Sequence, residues 1–544
     1  MTIDVATGIA RILLQENVQW VSTFPVSKVN NAFGREGLKL LMMRDDRYAV
    51  SVADAYSRIN NGDKIGVSTF SGGVNAAGEQ VAYSGIAQAY EDNSPVLCIV
   101  DAVPAGSTQN TRFDQDASLR GVAKWYGYLD KPERTPEFMR RAFTMLRTGR
   151  PGPVVLGIPN ASATYDETID LYRSPKGWKS LPDPEDIQIA VDELNDAKSP
   201  ILFVGEGVLY SNATEELKAF AEKANLPVVT TLKAKGVFPE NHPLSIGVRG
   251  DHVLKFMNDA DLVFAVGASI SPGRFGHGIP DATNKKIIQC NIDEYDVNRM
   301  YPTHHAVIGD ARATLNSLTA SLNGSSRPDV THAVKKIKAE AMAQYHEVME
   351  SEAKPINPYR VYGDLMKVLD RNNSFVTHES GNTRDQLSTA YETLIPRGFL
   401  GWGNVSSLGY SFPAVTAAKL AHPGRQCVAV IGDAALSYML GNLEVLNRLK
   451  IGITIVHINN GGFSGYGPGF WGEGHDPYTF DVLGSDAINM TAAIENIGWH
   501  TERVTEPGEV STALERAFEQ NRQDKPAYIE IIASQYPIYG DWAG

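Results

Sequence analysis

Two buried strands, each ending in a small polar cluster and joined through one short helix, constrain this chain more than any other feature. They lie in "VAVIGDAALSYMLGNLEVLNRLKIGITIVHINNGGF", residues 428–463. The first apolar run stops at Gly432-Asp433, a helical pattern follows, and the second run stops at Asn459-Asn460-Gly461-Gly462. Strand, helix and strand in this succession make a parallel pair. In an open α/β sheet, ligands collect outside the carboxyl ends of the strands. Both clusters sit at such ends, so Asp433 and Asn460 are expected to face one point. A carboxylate, an amide oxygen and a nearby backbone carbonyl are hard donors of the kind Mg²⁺ takes, with phosphate oxygens completing its shell. The helix after Asp433 offers that phosphate its N–H groups and the positive end of its dipole. A Gly-Asp or an Asn-Gly turn is common alone. The two at this spacing are not what turns alone would produce.

The rest of the chain has the organisation such a motif needs. From residue 1 to about 160, helical and strand patterns alternate, with strands at "WVSTF", "LKLLMM", "KIGVSTF", "SPVLCIVD" and "GPVVLGIP". Residues 160–184 are polar and proline-bearing and read as a linker. A second α/β series follows, with "PILFVG", "LPVVTT", "DLVFAVG" and "KKIIQCNID", and residues 323–356 form a charged helical connection. A third series holds "SFVTH", "CVAVIGD", "ITIVHINN" and "AYIEIIAS". Alternation of this kind predicts an α/β protein of three consecutive domains with mostly parallel sheets, at 1–165, 185–322 and 357–544. A chain of 544 residues has room for them. Net charge is −13, spread without long runs, which argues against nucleic acid or an anionic membrane as partner. Cys98, Cys290 and Cys427 each lie in an apolar strand and read as buried free thiols of a reducing compartment. The start "MTIDVATGIARILLQ" has no basic leader pattern, and no apolar run reaches the roughly 18 residues of a membrane span, so the expected location is cytoplasmic.

The 428–463 stretch resembles the diphosphate-binding signature of thiamine diphosphate (ThDP) enzymes: Gly-Asp-Gly, a spacer, then Asn-Asn. The resemblance implies that Asp433, the Asn460 side chain and the Gly462 carbonyl hold Mg²⁺, with Gly432, Ala434 and Ala435 along the diphosphate. Two positions depart from it, Ala434 standing for Gly and Ala435 for a frequent Ser or Thr, which shifts the phosphate toward backbone donors and another loop. "HESGNTRD" (378–385) matches that loop, with Ser380, Gly381, Asn382 and Thr383 as donors. In "GWGNVSSLGYSFPAVTAAKL" (401–420), Leu408 matches the apolar residue that bends the cofactor, and the Ser406 carbonyl matches the acceptor of its amino group. Taken alone, Leu408 reads as a core leucine. Residues 230–248 and 289–311 are similar to the central domain of acetolactate synthases and oxalyl-CoA decarboxylases, and 140–159 to the end of their pyrimidine-binding domain. Those two groups carry FAD and ADP respectively in the central domain. Asp293 matches a ribose-contacting position, while "GASISPGRFGHGIP" (267–280) departs from the flavin-contacting pattern, so the nucleotide stays open.

In the family a glutamate before a helix polarises the aminopyrimidine. The matching segment here is "LLMMRDDRYAVSVADAYSR" (40–58), and Asp46 takes the glutamate's place. Acidic residues at a helix start also serve as caps. Asp45 is assigned that duty. Aspartate is shorter than glutamate by one C–C bond, about 1.5 Å, and a misplacement of about 1 Å can lower a rate on the order of a hundredfold. Closer backbone approach, a bridging water or another carboxylate would compensate. Glu79, within the unusual "GGVNAAGEQVAYSG" (72–85), is that other carboxylate. Gln115 lies near the family's active-site glutamine, with local spacing off by about three residues. Ser27 in "TFPVSK" follows a loop near the thiazolium. Tyr466, Phe470, Trp471 and His475 of "FSGYGPGFWGEGHDPY" (463–478) are candidates for the substrate site, against a bland reading as a locally packed loop. His304-His305 read as surface histidines rather than a metal pair.

No histidine precedes His242, whereas simple pyruvate and benzoylformate decarboxylases carry histidines in this first domain. The resemblance therefore implies decarboxylation of a 2-oxo acid followed by carboligation, as in acetolactate synthases. The alternatives are a 2-hydroxyacyl-CoA lyase or oxalyl-CoA-type decarboxylase acting on an acyl-CoA, and a ThDP-binding paralogue with little turnover. It also implies a homo-oligomer, dimer or tetramer, because the cofactor of the family lies between two copies.

Overall fold

The computed structural model describes residues 1–73, 77–107, 113–271, 278–402, 405–462 and 489–536. These residues build three six-stranded sheets whose neighbouring strands all run parallel. The first sheet takes its strands from Trp20–Thr23 through Val154–Ile158, arranged in chain order as 2-1-3-4-6-5. The second runs from Pro200–Val204 to His305–Ile308 in the order 3-2-1-4-5-6. The third, from Ser374–His378 to Ala527–Ile532, repeats the order 2-1-3-4-6-5. The expected α/β class with parallel sheets is what the chain adopts.

Strands covered by helices on both faces need unbroken apolar runs. Gly66–Phe70, Val96–Asp101, Pro200–Val204, Leu262–Val266 and Thr454–Asn459 are buried along their whole length. Cys98, Cys290 and Cys427 are free and buried within strands, as expected. Helix starts follow side-chain capping. Asp4, Asp45, Asp183, Asp310 and Asn357 each accept a backbone N–H of the first turn, an interaction worth about 1 kcal/mol apiece.

The chain divides into two compact units, 1–179 with 416–421, and 180–415 with 422–544. In the first, an antiparallel pair of Thr2–Asp4 with Thr164–Asp166 ties the ends of the α/β series together. In the second, buried polar contacts join the second sheet's loops to those of the third. Glu206 pairs with Arg397 at 2.8 Å, Arg249 with Asp385 at 2.5 Å, and Glu240, itself held by Lys235, accepts the Thr393 N–H at 2.6 Å. Breaking such a buried pair strands a charge, at a loss of about 3–5 kcal/mol. Among the described residues no helix is long and apolar enough to cross a membrane.

Candidate functional site

In the third sheet the strand order reverses between Ser374–His378 and its neighbour Gln426–Gly432. A crevice at the carboxyl end of such a switch point is where open α/β sheets bind ligands. Asp433 opens the helix Asp433–Met439 directly after Gly432. Its Oδ2 accepts the backbone N–H groups of Asn460 at 3.3 Å and Gly462 at 3.1 Å. Its Oδ1 lies 3.1 Å from His457 Nε2, and the other ring nitrogen of His457 lies 2.6 Å from the Tyr528 hydroxyl. The carboxylate and the loop expected to share a metal are thus bonded to one another. Gly461 and Gly462 turn that loop with φ of +80° and +124°, a region that favours glycine.

The two asparagines divide the work. Asn459 Nδ2 donates to Glu530 at 2.8 Å, and its Oδ1 accepts the Gly461 N–H at 3.3 Å, so it builds the turn. Asn460 comes next in the chain, at the point where the backbone meets Asp433. Among the described residues, a Cβ added at Gly381, Gly432 or Gly461 would meet nothing within 4 Å. These backbones are open with respect to the described residues.

A residue not singled out from the sequence organises the rest. Glu379, fully buried at the tip of Ser374–His378, reaches both flanking loops. Oε1 accepts the Ser411 N–H at 2.8 Å and its hydroxyl at 2.6 Å, while Oε2 accepts the N–H groups of Gly409 at 3.1 Å and Ser380 at 3.2 Å. Burial pushes its carboxyl above the ordinary range, against these donors. The Ser380 hydroxyl donates to the Ser406 carbonyl at 2.9 Å and lies 2.8 Å from the Ser406 hydroxyl. Ser406 has φ of +54°, a left-handed backbone uncommon outside glycine, asparagine and aspartate. Leu408, two residues on, is half-buried rather than a core leucine. Gly381 precedes the helix Asn382–Ala390, whose first turn carries Thr383, and the Thr383 hydroxyl is bonded to the Glu379 carbonyl at 3.1 Å. The sequence signal for Glu379 was an acid at a strand tip directly before a Ser-Gly turn.

In the first unit Asp45 caps the helix Asp46–Ile59 by accepting the Tyr48 N–H at 2.7 Å. Asp46 is left 6 % exposed, and its Oδ1 has no hydrogen-bond partner among the described residues. Burial, with the neighbouring Asp45 charge, pushes its carboxyl up to about 6. Glu79 and Gln115, named separately from the sequence, are in direct contact. Gln115 Nε2 donates to Glu79 Oε2 and, at 3.0 Å, to the Asp101 carbonyl. Glu79 is fully buried and its Oε1 has no partner among the described residues. Burial pushes it up to about 7, opposed by Gln115 and the Gly73 backbone and reinforced by Asp101. Asp101 ends the strand Val96–Asp101, accepts the Lys28 N–H at 3.2 Å, and is pushed by burial up to about 6. Ser27, beside Lys28, is buried, and its hydroxyl favours the ionised form of Asp101 against that burial.

Asp46 and Glu79 are separate groups. Their helices meet where an added Gly85 Cβ would lie 3.1 Å from the Arg47 carbonyl and from Val50. Glu79 is six residues before Gly85 in the helix Ala77–Glu91, about 9 Å along the axis. Neither carboxyl is among the charges that shift the other.

Tyr466, Phe470, Trp471 and His475 lie outside the described residues. His304 pairs with Glu193 at 2.9 Å and His305 with Asp186 at 3.2 Å. In the second sheet, Asp293 accepts the Tyr295 N–H of its own turn at 3.2 Å.

Comparison with known proteins covers all three sheets. The profile "Thiamine pyrophosphate enzyme, N-terminal TPP binding domain" matches residues 3–121, the central-domain profile 187–318, and the C-terminal TPP-binding-domain profile 379–531. The chain belongs to the thiamine pyrophosphate enzyme family. It is 28 % identical to a protein named probable acetolactate synthase large subunit from Methanocaldococcus jannaschii, covering 97 % of this chain and 91 % of the relative. It is 28 % identical to the acetolactate synthase large subunit of Corynebacterium glutamicum, covering 97 % and 87 %. It is 24 % identical to the isozyme 3 large subunit of Escherichia coli, covering 97 % and 94 %.

Proposed function

We propose that this chain is a ThDP- and Mg²⁺-dependent enzyme that decarboxylates a small 2-oxo acid and joins the remainder to a second carbonyl compound. The observation that carries the reading is the donor set at Asp433. The Asp433 carboxylate accepts the backbone N–H groups of Asn460 and Gly462, so the residues that would supply a carboxylate, a side-chain amide oxygen and a backbone carbonyl lie side by side, next to glycine backbones that meet no described atom within 4 Å. Hard oxygen donors next to a cradle for phosphate suit a Mg²⁺ diphosphate. The unpartnered Asp46 oxygen, buried in the first unit, suits a cofactor ring nitrogen in the same way.

When bound, ThDP supplies a nucleophilic carbon and an electron sink for the loss of CO₂. Asp433, Asn460 and Gly462 would hold the metal, which anchors the diphosphate. Ser380, Gly381, Asn382 and Thr383 would add donors from the loop that Glu379 clamps. The Ser406 carbonyl would accept a hydrogen bond from the cofactor's amino group, its second lone pair remaining with Ser380. Leu408 would impose the bent cofactor. Asp46 would share a proton with the aminopyrimidine ring. The 2-oxo acid substrate is supported by the names of the relatives and by the lack of histidine before His242. A homo-oligomer completes the reading, as in the enzymes the chain resembles.

Calorimetry with ThDP and Mg²⁺, then mass measurement of products from a panel of short 2-oxo acids, tests this. Metal-dependent ThDP uptake and a carboligated product are expected. A protein that takes up no ThDP overturns the reading.

A further inference from the structure

We infer that Glu79 is a second proton-handling group of this active site, separate from Asp46, that exchanges a proton with the substrate's carbonyl oxygen while Gln115 and Asp101 position and tune it. The inference rests on the reading of the chain as a ThDP-dependent enzyme.

The geometry gives Glu79 two different oxygens. Oε2 is held by the Gln115 amide, which the Asp101 carbonyl fixes in turn. Oε1 is buried and has no partner among the described residues. Burying a carboxyl oxygen without a partner is unfavourable. A structural site would be better filled by a group whose hydrogen bonds close. Instead the charge that acts on it is another acid, Asp101, which opposes ionisation of Glu79. Gly72 and Gly78 have no room for a side chain. A Cβ at Gly72 would lie 2.7 Å from Gln115 Nε2 and 2.4 Å from the Asp101 carbonyl, and one at Gly78 would lie 2.3 Å from the Ser71 hydroxyl. The buried Ser27 hydroxyl, one residue from the Lys28 N–H that holds Asp101, bears on the Asp101 carboxylate and so belongs to the same polar cluster. A carboxyl oxygen left unpaired inside a cluster of hydrogen-bonding groups suits a ligand that carries a carbonyl or hydroxyl oxygen.

Among the described residues, the titratable groups that bear on Glu79 are Asp101 from its strand and Tyr126 from the strand Trp125–Tyr128. A carboxyl titrating near neutrality is suited to general acid–base work, and buried carboxyls of this kind concentrate at functional sites. It supplies what a histidine supplies elsewhere, in a domain without one. As the carbonyl carbon is attacked, the O–H bond at Oε1 breaks and its proton passes to the carbonyl oxygen, which becomes a hydroxyl. The carboxylate left behind keeps the Gln115 hydrogen bond at Oε2. When that carbonyl re-forms on the way to product, the hydroxyl proton returns to Glu79, which ends the cycle as it began; the hydroxyl formed on the second carbonyl takes its proton from water, the one proton consumed as the carboxylate leaves as CO₂.

The test uses the full chain and four substitutions. ThDP affinity is followed by calorimetry, exchange of the cofactor's C2 proton by NMR, and product formation against pH. The Glu79 carboxyl is followed by infrared difference titration of the cofactor-free protein. Glu79→Gln is expected to keep ThDP uptake and fast C2 exchange while product formation falls about a hundredfold or more. Asp46→Asn is expected to lose the exchange. Gln115→Ala removes a donor to the ionised form and moves the Glu79 titration to higher pH. Asp101→Asn removes a like charge and moves it to lower pH. Loss of C2 exchange in Glu79→Gln, unchanged product formation in that variant, or a Glu79 titration unmoved by both neighbours overturns the inference. Should Glu79→Gln fail to fold, the opposite shifts from Gln115→Ala and Asp101→Asn still decide. Absence of ThDP uptake by the unsubstituted protein is a separate result and sinks the functional reading instead.

Discussion

The first and third sheets share the strand order 2-1-3-4-6-5 and finish their strands in opposite ways. In the first, loops pack so tightly that Gly72 and Gly78 have no room for a methyl group, and Asp46, Glu79 and Asp101 are buried with carboxyls held well above the ordinary range. In the third, Gly381, Gly432 and Gly461 are open with respect to the described residues, and Asp433 is met by two backbone N–H groups. One topology therefore carries two kinds of strand end. Dry, crowded strand ends favour neutral acids and suit proton traffic. Open strand ends with presented N–H groups suit phosphate and a hard cation. Topology chooses where a site lies, and the loop packing chooses what it does.

That contrast can be broken from either side. The largest effect is expected at the open end. Asp433→Ala should abolish measurable Mg²⁺-dependent ThDP binding in calorimetry, because even removing a group that only supports a metal ligand weakens affinity about 10–100-fold. The same substitution should leave the pH dependence of stability set by the first unit unchanged. Glu379→Ala comes next. It strips four donors of one acceptor, and each polar group left buried and unpaired costs about 1–3 kcal/mol. A loss of about 3–5 kcal/mol by denaturant unfolding is expected.

At the crowded end the effect is smaller and reverses sign. The Asp46 carboxyl is raised from 3.8 to about 6. The folded chain then holds a proton that the unfolded chain has released, so stability falls as pH rises from about 4 to 6 and stays lower above that window. At one pKa unit per 1.36 kcal/mol, the penalty is roughly 3 kcal/mol. Asp46→Asn should therefore raise the unfolding free energy at pH 8 by up to that amount and change little at pH 4, while slowing C2 exchange. A variant less stable at pH 8 would show that Asp46 is paired rather than stranded. The smallest effect concerns Ser406. Its left-handed backbone predicts that Ser406→Val loses about 1–2 kcal/mol, whereas Ser406→Gly changes thermal stability by no more than about 1 kcal/mol.

Much of this was legible in the chain itself. The interior strands declare themselves as unbroken apolar runs. In the three six-stranded sheets, the strands that the apolar pattern does not single out are Trp125–Tyr128, Ser245–Gly247, His305–Ile308, Phe399–Leu400 and His500–Val504, and every one is a sheet edge. An edge strand is short or half-covered, so it lacks the uninterrupted run that burial on both faces demands. The polar clusters at Asp433 and Asn459-Asn460 were readable because both lie at strand ends within one local motif. Asp45 as cap was readable for the same reason. Glu379 also stands at a strand tip, but the clamp it forms was not readable, since its partners Gly409 and Ser411 lie about 30 residues away. Nor was the division between Asp46 and Glu79, which depends on how two helices meet.

That meeting point has a mechanical consequence. At Gly85 a backbone carbonyl and a valine side chain press against a position with no side chain of its own, which leaves the helices no room to slide. Asp46–Ile59 and Ala77–Glu91 should then open as a single foldon, their amides exchanging with deuterium at one common rate. A ligand that grips either acid would slow exchange along both.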